Sequence, residues 1–308
     1  MFKRLTRKLP VPLLLVLSAC GLVRCAPDPL SEAELQVLYA DPLPAPEGPL
    51  SVYFIGHSLI ARDMPAMLAQ LAGEGHRYES QLGWGAELQA HWGDIELDGA
   101  EKENDHPRFR EAYGAVDSGE YDAVVMTEKI SIESSIKYHD SWHYLSEWAA
   151  KAEAANPGVR LYIYETWHDL DVEEGWLERL DSDLAKNWEG EIIDRALATG
   201  KVTGPIYVIP GGQVMAAVAR AAEAGGIEGL SSRSDLFKDQ IHFNSLGAYL
   251  MALTHYAVLY GRSPVGLPND LKDAKGESVP MPSEAAARAM QEIVWEVVTG
   301  YVRTGVRG

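Results

Sequence analysis

Ser51-Val-Tyr-Phe-Ile-Gly-His-Ser58 is the stretch from which the fold of this chain is read. Residues 51–55 are a short β-branched and aromatic run, and Gly56 ends it. Apolar side chains then recur at helical spacing through residues 59–72, at Leu59, Met64, Met67, Leu68 and Leu71. That order is strand, tight turn, helix, with Ser58 opening the helix. The same alternation runs outward. Residues 121–126 and 159–164 read as buried strands, with a helix over 138–155 between them that Asn156-Pro157-Gly158 closes. Residues 173–199 read as helical with one break near Glu189-Gly190, and 205–209 as a further strand. Helices over 213–224, 245–260 and 283–302 follow, and 77–82 adds a strand. Strands that alternate with helices make a parallel sheet covered on both faces. The expected fold class is therefore α/β, a three-layer α/β/α sandwich on a flavodoxin-like parallel sheet. One domain spans 50–268, and residues 269–308 dock on it as a loop and a helix.

Composition narrows the function. With 308 residues, 46% of them hydrophobic, the chain is long enough to bury a sizeable core. Its formal net charge is −18, and losing the leader cations Lys3, Arg4, Arg7 and Lys8 would take it to −22. Such a surface repels phosphate backbones, so nucleic acid is not an expected partner. The only cysteines are Cys20 and Cys25, which leaves the folded domain without a disulfide framework or a cysteine metal site.

Residues 2–8 are basic, an apolar run over 11–17 follows, and Ser18-Ala19-Cys20 comes next. This is a secretory leader, too short to span a bilayer as a helix. Leu17-Ser18-Ala19-Cys20 also resembles the bacterial lipobox, which implies a signal peptide over 1–19 and a lipid on Cys20. The plainer alternative is a cleaved signal ending near Ala19. Residues 20–49, with prolines at 27, 29, 42, 44, 46 and 49, read as an extended tether with a helical turn near 32–39. The expected location is the bacterial cell envelope, facing the periplasm or the exterior, with membrane contact only through the lipid anchor.

In open α/β sheets ligands bind beyond the carboxyl ends of the strands. The segments there are 56–58, 82–85, 127–129, 165–168 and 210–212. Ser58 stands directly after the first strand. A serine is a weak nucleophile unless a base lies within hydrogen-bond reach. Asp239-Gln240-Ile241-His242 supplies such a base, with an acid spaced to orient it. Taken singly, Ser58 is an ordinary helix cap and the acid and imidazole belong to a surface loop. Taken together, in this order on this strand pattern, they form a nucleophile, base and orienter.

Ile55-Gly56-His57-Ser58-Leu59 resembles the first block of the SGNH, or GDSL-like, hydrolases, with His57 where the family has Asp. The run from Leu236 to Gly247, with Asp239-x-x-His242 followed by a polar turn, resembles the family's last block. The resemblance covers about residues 51–265 and implies a serine esterase with Ser58, His242 and Asp239 as catalytic triad. It also implies an oxyanion hole built from the N–H groups of Ser58 and of a second-block glycine, Gly85 by best match and Gly83 otherwise. The third block departs from the family. Thr127-Glu128-Lys129 stands where Gly-x-Asn-Asp is usual, so either Thr127, Lys129 or a backbone N–H replaces the Asn donor or catalysis is slow; Glu128 donates only if protonated and otherwise orients a substrate hydroxyl. Losing one such donor costs roughly 3–4 kcal/mol of transition-state stabilisation. The Gly-x-Ser-x-Gly elbow of the α/β-hydrolases is absent, because Ile60 occupies the second glycine position.

The remaining signals are weaker. Trp84, Trp92, Trp142 and Trp167 fall in or near the post-strand segments, either as platforms for sugar rings or as packing. Trp148, Trp188 and Trp295 read as helix core. His139 and His143 share a predicted helix face, but Asp140 stands where a zinc motif needs Glu and no third ligand is evident. No metal and no cofactor is expected. Gly211-Gly212 reads as a tight turn rather than a phosphate cradle. The expected reaction is hydrolysis of a carboxylic ester, a short acyl group such as acetyl on a carbohydrate. The alternatives are a lipid esterase or thioesterase, or a non-catalytic glycan-binding lipoprotein of the same fold. The partner is a small-molecule or glycan ester.

Overall fold

The computed structural model describes residues 25–308. The leader over 1–19 and the lipidation candidate Cys20 lie outside the described residues, and Cys25 is exposed. Five parallel strands form one sheet: β1 (Ser51–His57), β2 (Arg77–Gly83), β3 (Ala123–Met126), β4 (Arg160–Glu165) and β5 (Ile206–Pro210), in the order β2-β1-β3-β4-β5. All four pairings are parallel. This is the expected flavodoxin-like α/β/α architecture.

Period-2 alternation divides the core between the two faces. Val52, Phe54, Ala123, Val125, Tyr162, Tyr164 and Ile209 pack against the helices Asp63–Ala72, Gly211–Glu223, Ser245–Tyr260 and Glu284–Gly300. Tyr53, Ile55, Val124, Met126, Leu161, Ile163 and Val208 pack on the opposite face, against Leu88–Trp92, Ala112–Asp117, Ser141–Ala155 and the helical run that ends at Ala198. The last helix is part of the first layer: Gln291 Nε2 donates to Tyr249 Oη at 2.9 Å and to the Leu267 carbonyl at 2.8 Å. Trp148, fully buried on the second face, donates its indole N–H to the Leu88 carbonyl at 3.2 Å. Trp148→Phe removes that bond and part of the ring volume. It should cost about 2 kcal/mol in urea unfolding, without changing the circular dichroism of the folded state.

Three expectations change. The helix after β1 begins at Asp63, not Leu59; residues 58–62 are a turn in which the His57 carbonyl accepts from the N–H groups of Ile60 and Ala61. The break expected near Glu189-Gly190 is a π-helix over Leu184–Ile193, continuous with the helices on either side, so the lost 3.6-residue period marks wider winding. The proline-rich segment is docked rather than free. Tyr39 donates to the carbonyl of Ile206 at 2.7 Å, and Arg160 to that of Pro44 at 2.8 Å. Arg195 donates to that of Pro27 at 2.6 Å, and Leu43 N–H to that of Gly305 at 2.8 Å. The Tyr39 and Arg160 contacts reach the first residues of β5 and β4, at the end of the sheet opposite the serine. Glu32–Leu38 is helical as expected, opened by a capping box between Ser31 and Glu34.

Candidate active site

Ser58 leaves the carboxyl end of β1 in the turn before the helix, so the helix N-terminus invoked from the sequence does not begin at its N–H. His57 fixes that turn. Its Nε2–H donates to the Glu128 carbonyl at 2.8 Å, and its Nδ1 accepts from the Leu59 N–H at 3.3 Å. Burial pushes the ring down to about 4, so it is neutral and serves as a strut between the first and third post-strand segments.

Asp239 and His242 belong to the loop before the Ser245–Tyr260 helix. Asp239 Oδ1 accepts from the N–H groups of Ile241 at 3.0 Å and His242 at 2.7 Å, folding the loop around the carboxylate. Burial pushes this carboxyl up, but those N–H groups and the imidazole outweigh it and hold it at about 2. The loop is tied to the segment after β4: Trp167 donates its indole N–H to the Ile241 carbonyl, and Leu170 N–H donates to that of Gln240, both at 2.8 Å. Asn244 caps the following helix with its side-chain oxygen and donates to the Asp235 carbonyl.

The two distant segments meet. His242 Nδ1 lies 2.9 Å from Asp239 Oδ2, and His242 Nε2 lies 2.9 Å from Ser58 Oγ. With the Nδ1–H facing the carboxylate, Nε2 is left to accept the serine proton. They lie in a cleft of about 960 Å³ whose wall includes Gly85, Trp84, Arg62, Lys102, Glu103, Ile130, Asp169, Lys238 and Ile241. Gly85 sits at φ +49°, the left-handed region that glycine adopts freely. Gly83, the alternative, ends β2 and does not line the cleft. The backbone N–H groups of Ser58, Gly85 and Ile130 donate to no acceptor among the described residues.

The third-block side chains go elsewhere. Thr127 is fully buried and donates its hydroxyl to the Tyr164 carbonyl at 2.8 Å, so it cannot serve the cleft. Glu128 is also fully buried, with its carboxyl turned to the N–H groups of Lys129 at 3.1 Å and Leu88 at 3.4 Å. Burial pushes it up to about 8, against the pull of those donors. Lys129 passes beside Gly85 to pair with Glu87 Oε1 at 2.8 Å. The polar atoms of all three candidate side chains are spent on other partners: Thr127 on β4, Glu128 on the Lys129 and Leu88 N–H groups, and Lys129 on Glu87.

Other candidates separate in the same way. His139 caps one helix and meets Glu87 at 3.2 Å, whereas His143 lies in the next, so they do not share a helix face. His168 pairs with Asp183 at 2.6 Å, and His91 donates to the Gly56 carbonyl at 2.9 Å. Gly211 and Gly212 open the helix after β5, where a Cβ would strike Tyr164 or Glu165, and neither lines the cleft. Among the described residues no cluster of His, Cys, Asp and Glu has metal-binding geometry. Sequence reasoning missed Arg62, Lys102 and Glu103. They reach the cleft from a helix start and an insertion after β2, and no motif marks either.

Among solved structures, the chain superposes on a DUF4886 family protein from Bacteroides uniformis with a TM-score of 0.51 at 16% identity, covering 81% of this chain and 94% of that one. The likeness is one of fold. A protein provisionally described as a GDSL-like lipase, from Parabacteroides merdae, aligns with a TM-score of 0.44 at 12% identity over 70% of this chain and 96% of its own. No protein-family model matches the chain, and no curated protein does.

Proposed function

We propose that the protein is a serine esterase of SGNH type that hydrolyses a short acyl ester, such as acetyl, carried on a carbohydrate. The observation that carries this reading is the Ser58 Oγ, His242 Nε2 and Nδ1, Asp239 Oδ2 relay, with 2.9 Å at each contact, inside a cleft. His242 removes the Ser58 proton as Oγ attacks the ester carbonyl. The N–H groups of Ser58 and Gly85 receive the oxyanion, and Ile130 N–H is the remaining candidate for the third donor. The alcohol leaves with the proton held by His242. Water, deprotonated by the same imidazole, then releases the acid from the acyl-enzyme.

The alcohol preference draws support from the rim. Arg62, Lys102, Glu103, Asp169 and Lys238 make it polar, which suits hydroxyl groups better than an acyl chain. In the same reading Cys20 carries a lipid. The docked N-terminal segment lies at the amino ends of the strands and the cleft at their carboxyl ends. An enzyme anchored at Cys20 therefore turns its cleft away from the anchoring membrane, which favours an envelope glycan over membrane lipid as substrate.

The test is labelling by a fluorophosphonate probe, mapped by mass spectrometry, beside hydrolysis of p-nitrophenyl acetate and octanoate. The proposal expects adduct on Ser58 and faster acetate cleavage. Octanoate preference would move the substrate to lipid. No adduct and no turnover would leave a non-catalytic glycan binder, the reading that the missing Asn donor favours. Asp239→Asn should lower kcat about 10²- to 10³-fold with KM little changed. The expected loss is below the ~10⁴ of a buried triad acid, because the Asp239 side chain is 49% exposed and water can partly take over its role. A loss below tenfold would remove Asp239 from the relay.

A further inference from the structure

Of the four tryptophans near the strand ends, three are engaged in packing. Trp167 is fully buried and Trp142 nearly so, while Trp92 meets Trp148 edge-on with ring centroids 4.9 Å apart. Trp84 differs: it is 53% exposed and shares the cleft wall with Ser58, Gly85 and His242. Exposure alone would mean little, but this ring is held in place at the rim. Its main-chain N–H donates to the Asp98 carbonyl at 2.7 Å, and its indole N–H to Glu103 Oε1 at 2.8 Å. The ring lies directly against Gly99, where a Cβ would come within 2.4 Å of it.

The support behind the ring is itself fixed. Asn104 binds both the N–H and the carbonyl of Leu82 on β2, at 2.9 and 2.8 Å. Arg62, four residues beyond the nucleophile, donates to the carbonyls of Lys102 at 2.6 Å and Glu103 at 2.9 Å. One set of contacts thus sets the ring relative to the turn that carries Ser58. A large apolar surface kept exposed and immobile loses little entropy when a ligand covers it.

We infer that Trp84 is the stacking platform for the sugar ring on the alcohol side of the ester. This deepens the esterase reading and rests on it. The neighbours of the ring specify the occupant. Lys102 holds its ammonium 5.4 Å from the ring centroid, and Glu103 and Arg62 line the same wall. An acyl chain would desolvate these charges while offering them no further hydrogen bonds, whereas a pyranose offers a C–H face to the indole and hydroxyls to the charges.

The experiment compares mono-O-acetyl methyl glucosides with ethyl acetate, for the wild type, Trp84→Ala and Trp84→Phe. Trp84→Ala should lower kcat/KM on the sugar esters, chiefly through KM, by about tenfold or more beyond whatever it loses on ethyl acetate; Trp84→Phe should keep most of the wild-type sugar-ester preference. Equal losses on both esters, or none on the sugar esters, would overturn the inference and leave the esterase reading standing. Binding is read separately, by calorimetry of Ser58→Ala with the same glucosides. Affinity that disappears on adding Trp84→Ala supports the platform even in a protein that proves inert toward esters. No binding to Ser58→Ala, or binding indifferent to Trp84, counts against it.

Discussion

Ser58→Ala is expected to lower kcat/KM on p-nitrophenyl acetate by at least ~10⁴-fold, about 5.5 kcal/mol of transition-state stabilisation, with the melting temperature unchanged. The hydroxyl makes a hydrogen bond to His242 that packing does not need, and Ser58 is only half-buried. Removing it therefore deletes the proposed nucleophilic atom and little else. His242→Ala should cost nearly as much, and the double variant scarcely more than either, because in the proposed relay nucleophile and base act as one unit. What remains would come from the donors of Ser58 and Gly85 acting on attack by water. Activity within tenfold of wild type in either single variant would show that the 2.9 Å contact is not a working relay.

The second large effect is on stability. A maximum is expected near pH 6.5, with a loss of roughly 2 kcal/mol per pH unit from 6.5 down to 4.5 and of about 1 kcal/mol per unit from 6.5 up to 8. Burial holds His57, His76 and His255 down to about 4 and His91 to about 3. Each is neutral in the fold. Its contribution is complete above its unfolded value near 6.5 and drains away as pH falls toward 4, because the unfolded chain then takes up protons that the fold refuses. Burial raises Glu128 and Glu165 to about 8, with the opposite sign. Their contribution is complete below about 4.5 and is lost as pH rises through 8.

One proton of difference is worth about 1.4 kcal/mol per pH unit. Below pH 6.5 four histidines oppose two carboxyls, which leaves up to about two protons' worth of loss per unit of acidification; above it the histidines of the unfolded chain are still losing protons and offset part of the carboxyl loss, so the alkaline limb is the shallower. Urea unfolding at pH 4.5, 5.5, 6.5 and 8 measures the curve, whose acid limb is large against the ~5–15 kcal/mol of an ordinary domain. His255→Leu should flatten the acid limb by about one proton, since that ring is fully buried and bonds only the Met251 carbonyl within its own helix. Glu128→Gln should flatten the alkaline limb. A level profile from pH 5 to 8 would mean that these groups titrate as they do in water.

The local pattern of residues was enough to read the strands, most of the helices and the two blocks that meet at the cleft. β1 is buried along its whole length, and its turn residues stand where a parallel sheet presents ligand sites. The Asp239 loop is equally local, since its fold depends on hydrogen bonds spanning two and three residues. Such features were legible because their causes, side-chain period and short-range bonding, lie within a few positions of the chain.

The tertiary structure decided what contacts between distant segments control. Thr127 and Glu128 stand at the right place in the chain for a third oxyanion donor, but the Tyr164 carbonyl on β4 claims the Thr127 hydroxyl, and the Lys129 and Leu88 N–H groups claim the Glu128 carboxyl. Proline composition suggests an extended tether, yet the carbonyls of Pro27 and Pro44 meet arginines far along the chain and the segment docks. Four tryptophans look equivalent in sequence; one stays at the rim because Gly99, Glu103 and Asp98 hold it there. Burial and pairing of this kind depend on what the fold brings alongside, and no window of sequence contains that.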